Sequence, residues 1–221
     1  MTQNRKRTVK AYGKVLVFGA AYSVYVRAVR LALEEKGVPY ERVDIDVFAP
    51  GGPPADFLAR QPFGRIPAFE HDGFRLYESG AIERYIDEAF DGPPLQTGDP
   101  KARARMNQAI GIVDSYVYRT LVWDIYVERV VRARESRSGD ETRIAAALPR
   151  AETCLLALEN VMQQGPWLAG VEFTLADCHA APMLDYFRRT PEGAAMLGAH
   201  PSLSRWWDRI AVRASIAATM P

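Results

Sequence analysis

GRIPAFEHDGFRLYESGAI, residues 64–82, holds most of what the N-terminal half can become. It begins as an extended segment with Pro67 directly after the β-branched Ile66, turns at Asp72-Gly73, runs extended again, and then takes on a helical pattern from Ser79. Proline cannot donate to a sheet ladder, so Pro67 marks an edge or an exposed end of a sheet. A D-G pair between RIPAFEH and FRLYE predicts a tight hairpin. The following AIERYIDEAF places Ile82, Tyr85, Ile86 and Phe90 on one helical face.

Upstream of this stretch, KVLVF (14–18) reads as a buried strand. VYVRAVRLALEEKG carries Val26, Val29 and Leu33 at helical spacing and stops at Gly37, two residues before Pro39. ERVDIDV (41–47) alternates charged with β-branched residues and predicts a second strand. FAPGGPPADFLARQPFG is punctuated by Gly and Pro and leaves room only for a short helical turn near Asp56 to Arg60. The predicted order over residues 14–90 is therefore β-α-β-α-β-β-α.

DGPPLQTGDP (91–100) concentrates Gly, Pro and Asp and reads as a linker, so that residues 14–90 and 101–221 form two domains. Beyond it no strand pattern recurs. Residues 101–134 set Met106, Ile110, Val113, Val117, Leu121 and Ile125 at steps of three and four, which predicts one long amphipathic helix. A second helix is expected over Glu141 to Gln163, a third from near Thr174, and a last one from Pro201 through PSLSRWWDRIAVRA. Thr174 and Asp177 form an [ST]-x-x-[DE] capping box, a device of stability. Trp206 and Trp207 are adjacent and cannot both face inward from one helix.

Composition excludes several functions. The chain has 221 residues, 48% hydrophobic and 25% charged, enough for one large domain or two small ones. With 28 Lys+Arg against 27 Asp+Glu the formal charge is +1, so no global field holds a polyanion or an acidic membrane surface, and nucleic acid is not an expected partner. No apolar run approaches the about eighteen residues of a membrane span. Cys154 and Cys178 form no C-x-x-C pair, which suits small buried side chains in a reducing, cytoplasmic compartment. The basic start MTQNRKRTVKAYG is followed by neither an apolar run nor a small-residue cleavage site, so it predicts a frayed terminus, not a secretory signal. His71, His179 and His200 lack ligand spacing, and neither a phosphate-binding G-x-x-x-x-G-K-[ST] nor a G-x-G-x-x-G motif is present, so no metal or nucleotide is expected.

SVYVRAVRLALEEKGVPYE (23–41), QPFGRIPAFEHDGFRLYESGAIERYI (61–86) and GPWLAGVEFTLADCHAAP (165–182), in this order and at these separations, resemble the cytosolic glutathione transferase family of the serine type, and the resemblance runs from about Lys14 to Arg213. It implies a thioredoxin-like α/β domain followed by an all-α bundle, with glutathione as co-substrate on the first domain, a hydrophobic electrophile in the cleft between them, and a homodimer. It also implies a cis peptide at Ile66-Pro67, leaving the N–H and C=O of Ile66 to pair with the peptide backbone of glutathione as a short added strand. Glu78 is expected to receive the γ-glutamyl ammonium. Ser79, read as the cap of its helix, is expected to receive the neighbouring carboxylate.

Ser23, at the junction of first strand and first helix, occupies the position of the family's catalytic serine. The chemistry needs the glutathione thiol as thiolate, whose unperturbed pKa is about 8.5. A charge-assisted hydrogen bond from the Ser23 hydroxyl contributes about 1.5–3 kcal/mol and the helix N-terminus about 0.3–1 more. Together they lower that pKa by about one to three units. Tyr22 and Tyr25 flank the serine and are alternative donors, whereas Tyr12 precedes the strand and stands at the wrong end. Arg27, one turn later, either adds positive potential or is solvated. A cysteine at position 23 would have indicated disulfide exchange or dehydroascorbate chemistry, and it is absent.

One feature departs from the family pattern. The loop FAPGGPP carries Gly and Pro where a basic residue usually grips the glycine carboxylate of glutathione, which leaves Arg65 as the nearest substitute. On the long helix Tyr116, Trp123 and Tyr126 lie at steps of seven and three, off the aliphatic stripe, as candidates for the apolar pocket wall or for core and interface packing. The expected activity is conjugation of glutathione to an aromatic halide, enone, epoxide or similar centre. The alternatives are a non-catalytic binding or scaffold protein of the same fold, or a glutathione-dependent isomerase, dehalogenase or ether-cleaving enzyme.

Overall fold

The computed structural model describes residues 12–163 and 165–221, and the frayed start expected from the sequence falls, through residue 11, outside that range. β1 (Val15–Phe18) is buried at Val15, Val17 and Phe18 and lies inside a four-stranded sheet of order β2-β1-β3-β4. β2 (Glu41–Val43) runs parallel to β1, while β3 (Ala68–His71) pairs antiparallel with both β1 and β4 (Phe74–Tyr77). Asp72 and Gly73 turn the β3–β4 hairpin with φ of 47° and 86°, the two positive angles that a two-residue I′ turn requires.

Two details differ from the sequence expectation. Pro67 does not mark a sheet edge, because β3 is interior; it stands one residue before the first paired position, at the strand's open end. ERVDIDV contributes only Glu41–Val43 to the sheet, since β1 ends at Phe18, the partner of Val43, and offers nothing further to pair with. Ile45 and Val47 nevertheless pack on Phe18, Phe57 and Ala68, so the alternation reported burial and not pairing.

α1 (Val24–Lys36) ends at Gly37 in the left-handed conformation, followed by the single turn α2 (Ala55–Leu58) and by α3 (Ser79–Ala89), whose Ile82 and Ile86 are buried. The second half is helical. α4 (Pro100–Ile112) is capped by the Asp99 carboxylate on the Ala102 amide at 2.8 Å. It runs unbroken into a π-helical segment, Val113–Val131, and then α5 (Arg132–Arg134). The stripe predicted for one long helix is buried throughout, but the winding is not uniform. From Val113 to Ile125 its members recur every four residues, a spacing that a helix wider than 3.6 residues per turn keeps on one face.

α6 (Glu141–Met162), α7 (Leu175–Arg188) and α9 (Pro201–Ala211) follow the sequence reading. α8 (Pro191–Ala199) and α10 (Ala214–Thr219) were not foreseen, because one buries little beyond Gly193 and Leu197 and the other has only 6 residues, too few to show a period.

The Thr174 capping box forms, and Asp177 does more than cap. Its carboxylate accepts from the Thr174 amide (2.8 Å), the Leu168 amide (2.9 Å) and the Trp206 indole (2.7 Å). Burial pushes this carboxyl up to about 6 despite those donors. Trp206 is thus the inward tryptophan, while Trp207 is partly exposed with Arg188 over its ring at 4.9 Å.

Val17 and Ile86 of the first half belong to the same continuous apolar core as Leu121, Leu158 and Trp206 of the second, and α1 packs against α7 as well as α3. The segment between the halves is tied down at both sides. Lys36 and Asp87 form a buried ion pair at 3.0 Å, Asp87 also accepts the Leu95 amide at 2.7 Å, and Leu95 returns its carbonyl to the Leu175 amide at 2.9 Å. Among the described residues no helix is long and apolar enough to cross a membrane.

Candidate active site

Register places three distant pieces of sequence at one end of the sheet. Because Phe18 faces Ala68 and Ala68 faces Tyr77, the residues after β1, before β3 and after β4 are neighbours. Ser23, the Ile66-Pro67 pair and the Glu78-Ser79 pair are brought together there, with the loop after β2 beside them. Gly19 makes the close approach possible. At φ 151° it lies where a Cβ would sit 2.4 Å from Val26 and 3.0 Å from Ile66, and its carbonyl accepts from Arg42 at 2.9 Å.

Ser23 is the N-cap of α1, with φ −70° and ψ 125°. Its Oγ accepts from the Val26 amide at 3.4 Å, a long cap bond that leaves the hydroxyl proton free for another acceptor. The Ile66-Pro67 peptide is cis, and among the described residues no backbone hydrogen bond reaches the Ile66 amide or carbonyl.

The expectation that Ser79 caps α3 is corrected: it is the first residue of that helix, and Glu78, at φ 71°, occupies the cap position without a side-chain cap bond. The positive φ turns the chain one residue early. Helical bonding then starts with the Ala81 and Ile82 amides on the Glu78 carbonyl, and the Ser79 and Gly80 amides have no helical acceptor. Ser79 is a buried residue and Glu78 an exposed one, and neither side chain has a hydrogen-bond partner among the described residues.

The neighbouring tyrosines are already committed. Tyr22 donates to Asp46 at 2.9 Å, and Tyr25 is turned toward the Asp114 carboxylate. Burial first, and those carboxylates second, hold both phenols far above their ordinary range. Arg65 is exposed, and its positive charge acts to lower the Tyr25 phenol against the larger effect of burial. Arg27 resolves into neither of its expected roles. It is fully buried and paired with Asp185 at 3.0 Å. Tyr12 packs edge-on against Phe90, away from Ser23.

A wall of rings crosses from one half of the chain to the other. Tyr22 stacks on Phe48 at 6.4 Å, Phe48 meets Trp123 at 6.1 Å, Trp123 meets Tyr118 at 6.4 Å, and Tyr118 meets Tyr25 at 4.7 Å. Phe48 is 66% exposed, and its backbone amide donates to Asp46 at 2.9 Å.

Of the three aromatic candidates only Trp123 joins this wall. Tyr116 is 63% exposed with no ring partner among the described residues, and Tyr126 is buried, stacked on Tyr186 at 4.3 Å. Seven residues complete two turns of an α-helix but not of the wider π segment, so residues expected on one face diverge. Phe48 and Tyr118 take the missing places. An aromatic residue inside a Gly-Pro loop was the available signal for Phe48.

Below the wall lies a fully buried imidazole. His179 Nδ1 is 2.9 Å from Glu83 and Nε2 is 2.8 Å from Asp114. Burial alone would lower its pKa, but the two carboxylates prevail and hold it protonated, pushed up to about 10. Burial likewise acts to raise Asp114, yet His179 and the Tyr25 hydroxyl bring it below the usual carboxylate range; for the fully buried Glu83 burial wins and the shift is upward.

Comparison with known proteins agrees with this geometry. The family model described as "Glutathione S-transferase, N-terminal domain" matches residues 17–94, and that described as "Glutathione S-transferase, C-terminal domain" matches residues 114–214. Glutathione S-transferase F12 of Arabidopsis thaliana is 30% identical over 205 residues, covering 91% of this chain and 94% of the relative. The stringent starvation protein A homolog of Haemophilus influenzae is 30% identical over 168 residues, 76% of this chain and 72% of its own. Glutathione S-transferase I from maize, solved in complex with an atrazine glutathione conjugate, superposes with a TM-score of 0.80 at 26% identity, covering 94% of this chain and 96% of that one. With both halves matched in order on a thioredoxin-like sheet and a helical bundle, the chain belongs to the cytosolic glutathione transferase family.

Proposed function

We propose that this protein conjugates the glutathione thiolate to a hydrophobic electrophile, with Ser23 as the residue that stabilises the sulfur anion. The observation that carries the proposal is the Ser23 hydroxyl, which accepts from the Val26 amide and has its proton uncommitted at the N-terminus of α1. The free Ile66 backbone beside cis-Pro67 supports pairing with the cysteinyl portion of the peptide. The unpartnered Glu78 carboxylate suits the ammonium of the γ-glutamyl end, and the Ser79 hydroxyl with the Ser79 and Gly80 amides suits its carboxylate. Arg65 is proposed for the glycine carboxylate, because the loop after β2 supplies no cation there.

The ring-lined cleft around Phe48 and Trp123 would receive the electrophile, and the conjugate carried by the maize relative supports an aromatic one. Rate comes from holding the thiolate and the electrophilic carbon together and from stabilising the anion. We further propose a cytoplasmic homodimer. The pair Phe63 and Tyr77, 6.1 Å apart, together with Phe74, leaves exposed rings on the hairpin side of the sheet that a second copy would cover.

The deciding test is Ser23→Ala assayed with a chlorinated nitrobenzene. Loss of one charge-assisted hydrogen bond of about 1.5–3 kcal/mol should raise the apparent thiol pKa by about one to two units and reduce kcat/KM near neutrality by about 10- to 100-fold. Wild-type protein that binds no glutathione at millimolar concentration would overturn the enzyme reading. A binding or scaffold function is the second reading, favoured by the absent basic anchor, and it predicts weak or no glutathione binding and no conjugation of the chlorinated nitrobenzene.

A further inference from the structure

We infer that Tyr186, on α7 in the helical half, is a positioning residue for Ser23, an inference that rests on the reading of Ser23 as the thiolate donor. The Tyr186 hydroxyl donates to the Tyr22 carbonyl at 2.6 Å. That carbonyl and the Ser23 amide are the two ends of one peptide unit, and the Ser23 amide in turn donates to the Ala20 carbonyl at 3.1 Å. The peptide plane leading into Ser23 is therefore held from both sides. Its orientation sets the direction of the Ser23 Cα–Cβ bond, and with it where the hydroxyl points.

Tyr186 is itself fixed more firmly than core packing requires. Its ring stacks on Tyr126 with an interplanar angle of 13°, and the guanidinium carbons of Arg27 and Arg189 each lie 5.5 Å from its centroid. Asp185 pairs with both arginines, at 3.0 Å and 2.6 Å, and the Met220 sulfur accepts from both. Arg27 is kept here although its Nε has no hydrogen-bond partner, an arrangement that is costly in a buried site. Adjacent residues of α7 thus hold both sides of the serine: Asp185 through Arg27 in the first turn of α1, Tyr186 through the preceding carbonyl. Burial keeps the Tyr186 phenol above its ordinary pKa, so it remains a donor across the working pH range.

The test is Tyr186→Phe, which removes the hydroxyl and retains the stacked ring, in the full-length chain and also in the Ser23→Ala background. The readouts are the ultraviolet thiolate band of bound glutathione as a function of pH, glutathione affinity, and thermal midpoint. Tyr186→Phe is expected to raise the apparent thiol pKa by about half to one unit and to lower kcat/KM below that pKa by about 3- to 10-fold, with glutathione affinity within about twofold of wild type. On Ser23→Ala the same substitution should change the thiol pKa no further, because the coupling runs through the serine. A thiol titration unmoved by Tyr186→Phe, or equal shifts in both backgrounds, would overturn the inference and leave Tyr186 a packing residue. Failure of Ser23→Ala itself to move the titration would instead overturn the underlying reading of Ser23.

Discussion

Ser23 and Tyr25 stand two positions apart at the start of α1, and what separates their roles is the company each hydroxyl keeps. Tyr25 is turned toward Asp114, a carboxylate that also pairs with His179 at 2.8 Å, while the Ser23 proton is unspent. Tyr25→Phe is therefore expected to stay within about threefold of wild type in kcat/KM, far less than the loss expected of Ser23→Ala; a decrease of about 100-fold would transfer the thiolate to the tyrosine. Much of this site was legible because its parts are contiguous. Ile66-Pro67 and Glu78-Ser79 lie in one hairpin-plus-helix unit and declare themselves together. Asp114, His179 and Tyr186 announce nothing in sequence, since each acquires its role from a partner on another element, 65 positions away for Asp114 and His179 and 164 for Tyr186 and Tyr22.

Among the elements α7 does the most with the least visible signal. Asp177 looks like an ordinary cap, yet it accepts from the Trp206 indole and from the Leu168 and Thr174 amides inside the core. Asp177→Ala should lower unfolding free energy by about 3–5 kcal/mol in urea titration, because it strands several buried donors at once. The remaining folded fraction should retain its glutathione affinity. Element type was readable wherever a strong period or a Gly-Pro stop was present, as in α1 and the β3–β4 hairpin. Element length was not. β2 stops where β1 runs out of partners, and the π segment changes the face on which Tyr116 and Tyr126 emerge, and neither fact is local to the residues concerned.

At the scale of the whole molecule, His179 joins α3, the π segment and α7 through Glu83 and Asp114. The folded state holds the imidazolium proton up to about pH 10, whereas an unfolded histidine releases it near its ordinary value of 6.5. The folded chain thus binds the extra proton between those limits, so this contribution to stability is complete below about pH 6.5 and is lost as pH rises toward 10. Thermal midpoints should fall over that interval, and His179→Gln should flatten the slope while lowering stability at neutral pH. A wild-type midpoint that does not fall between pH 7 and pH 10 would remove the imidazolium from this role.

The shared core has a consequence for anyone who recombines such proteins. Val17 and Ile86 rest in the same cluster as Leu121 and Leu158, and Leu95 is hydrogen-bonded to Asp87 on one side and Leu175 on the other. A chimera that grafts a foreign helical half onto this sheet inherits a seam cut through apolar packing. It also replaces the α7 residues in contact with the peptide before Ser23, so an exchange meant to alter only electrophile preference would reach the acidity of the sulfur as well.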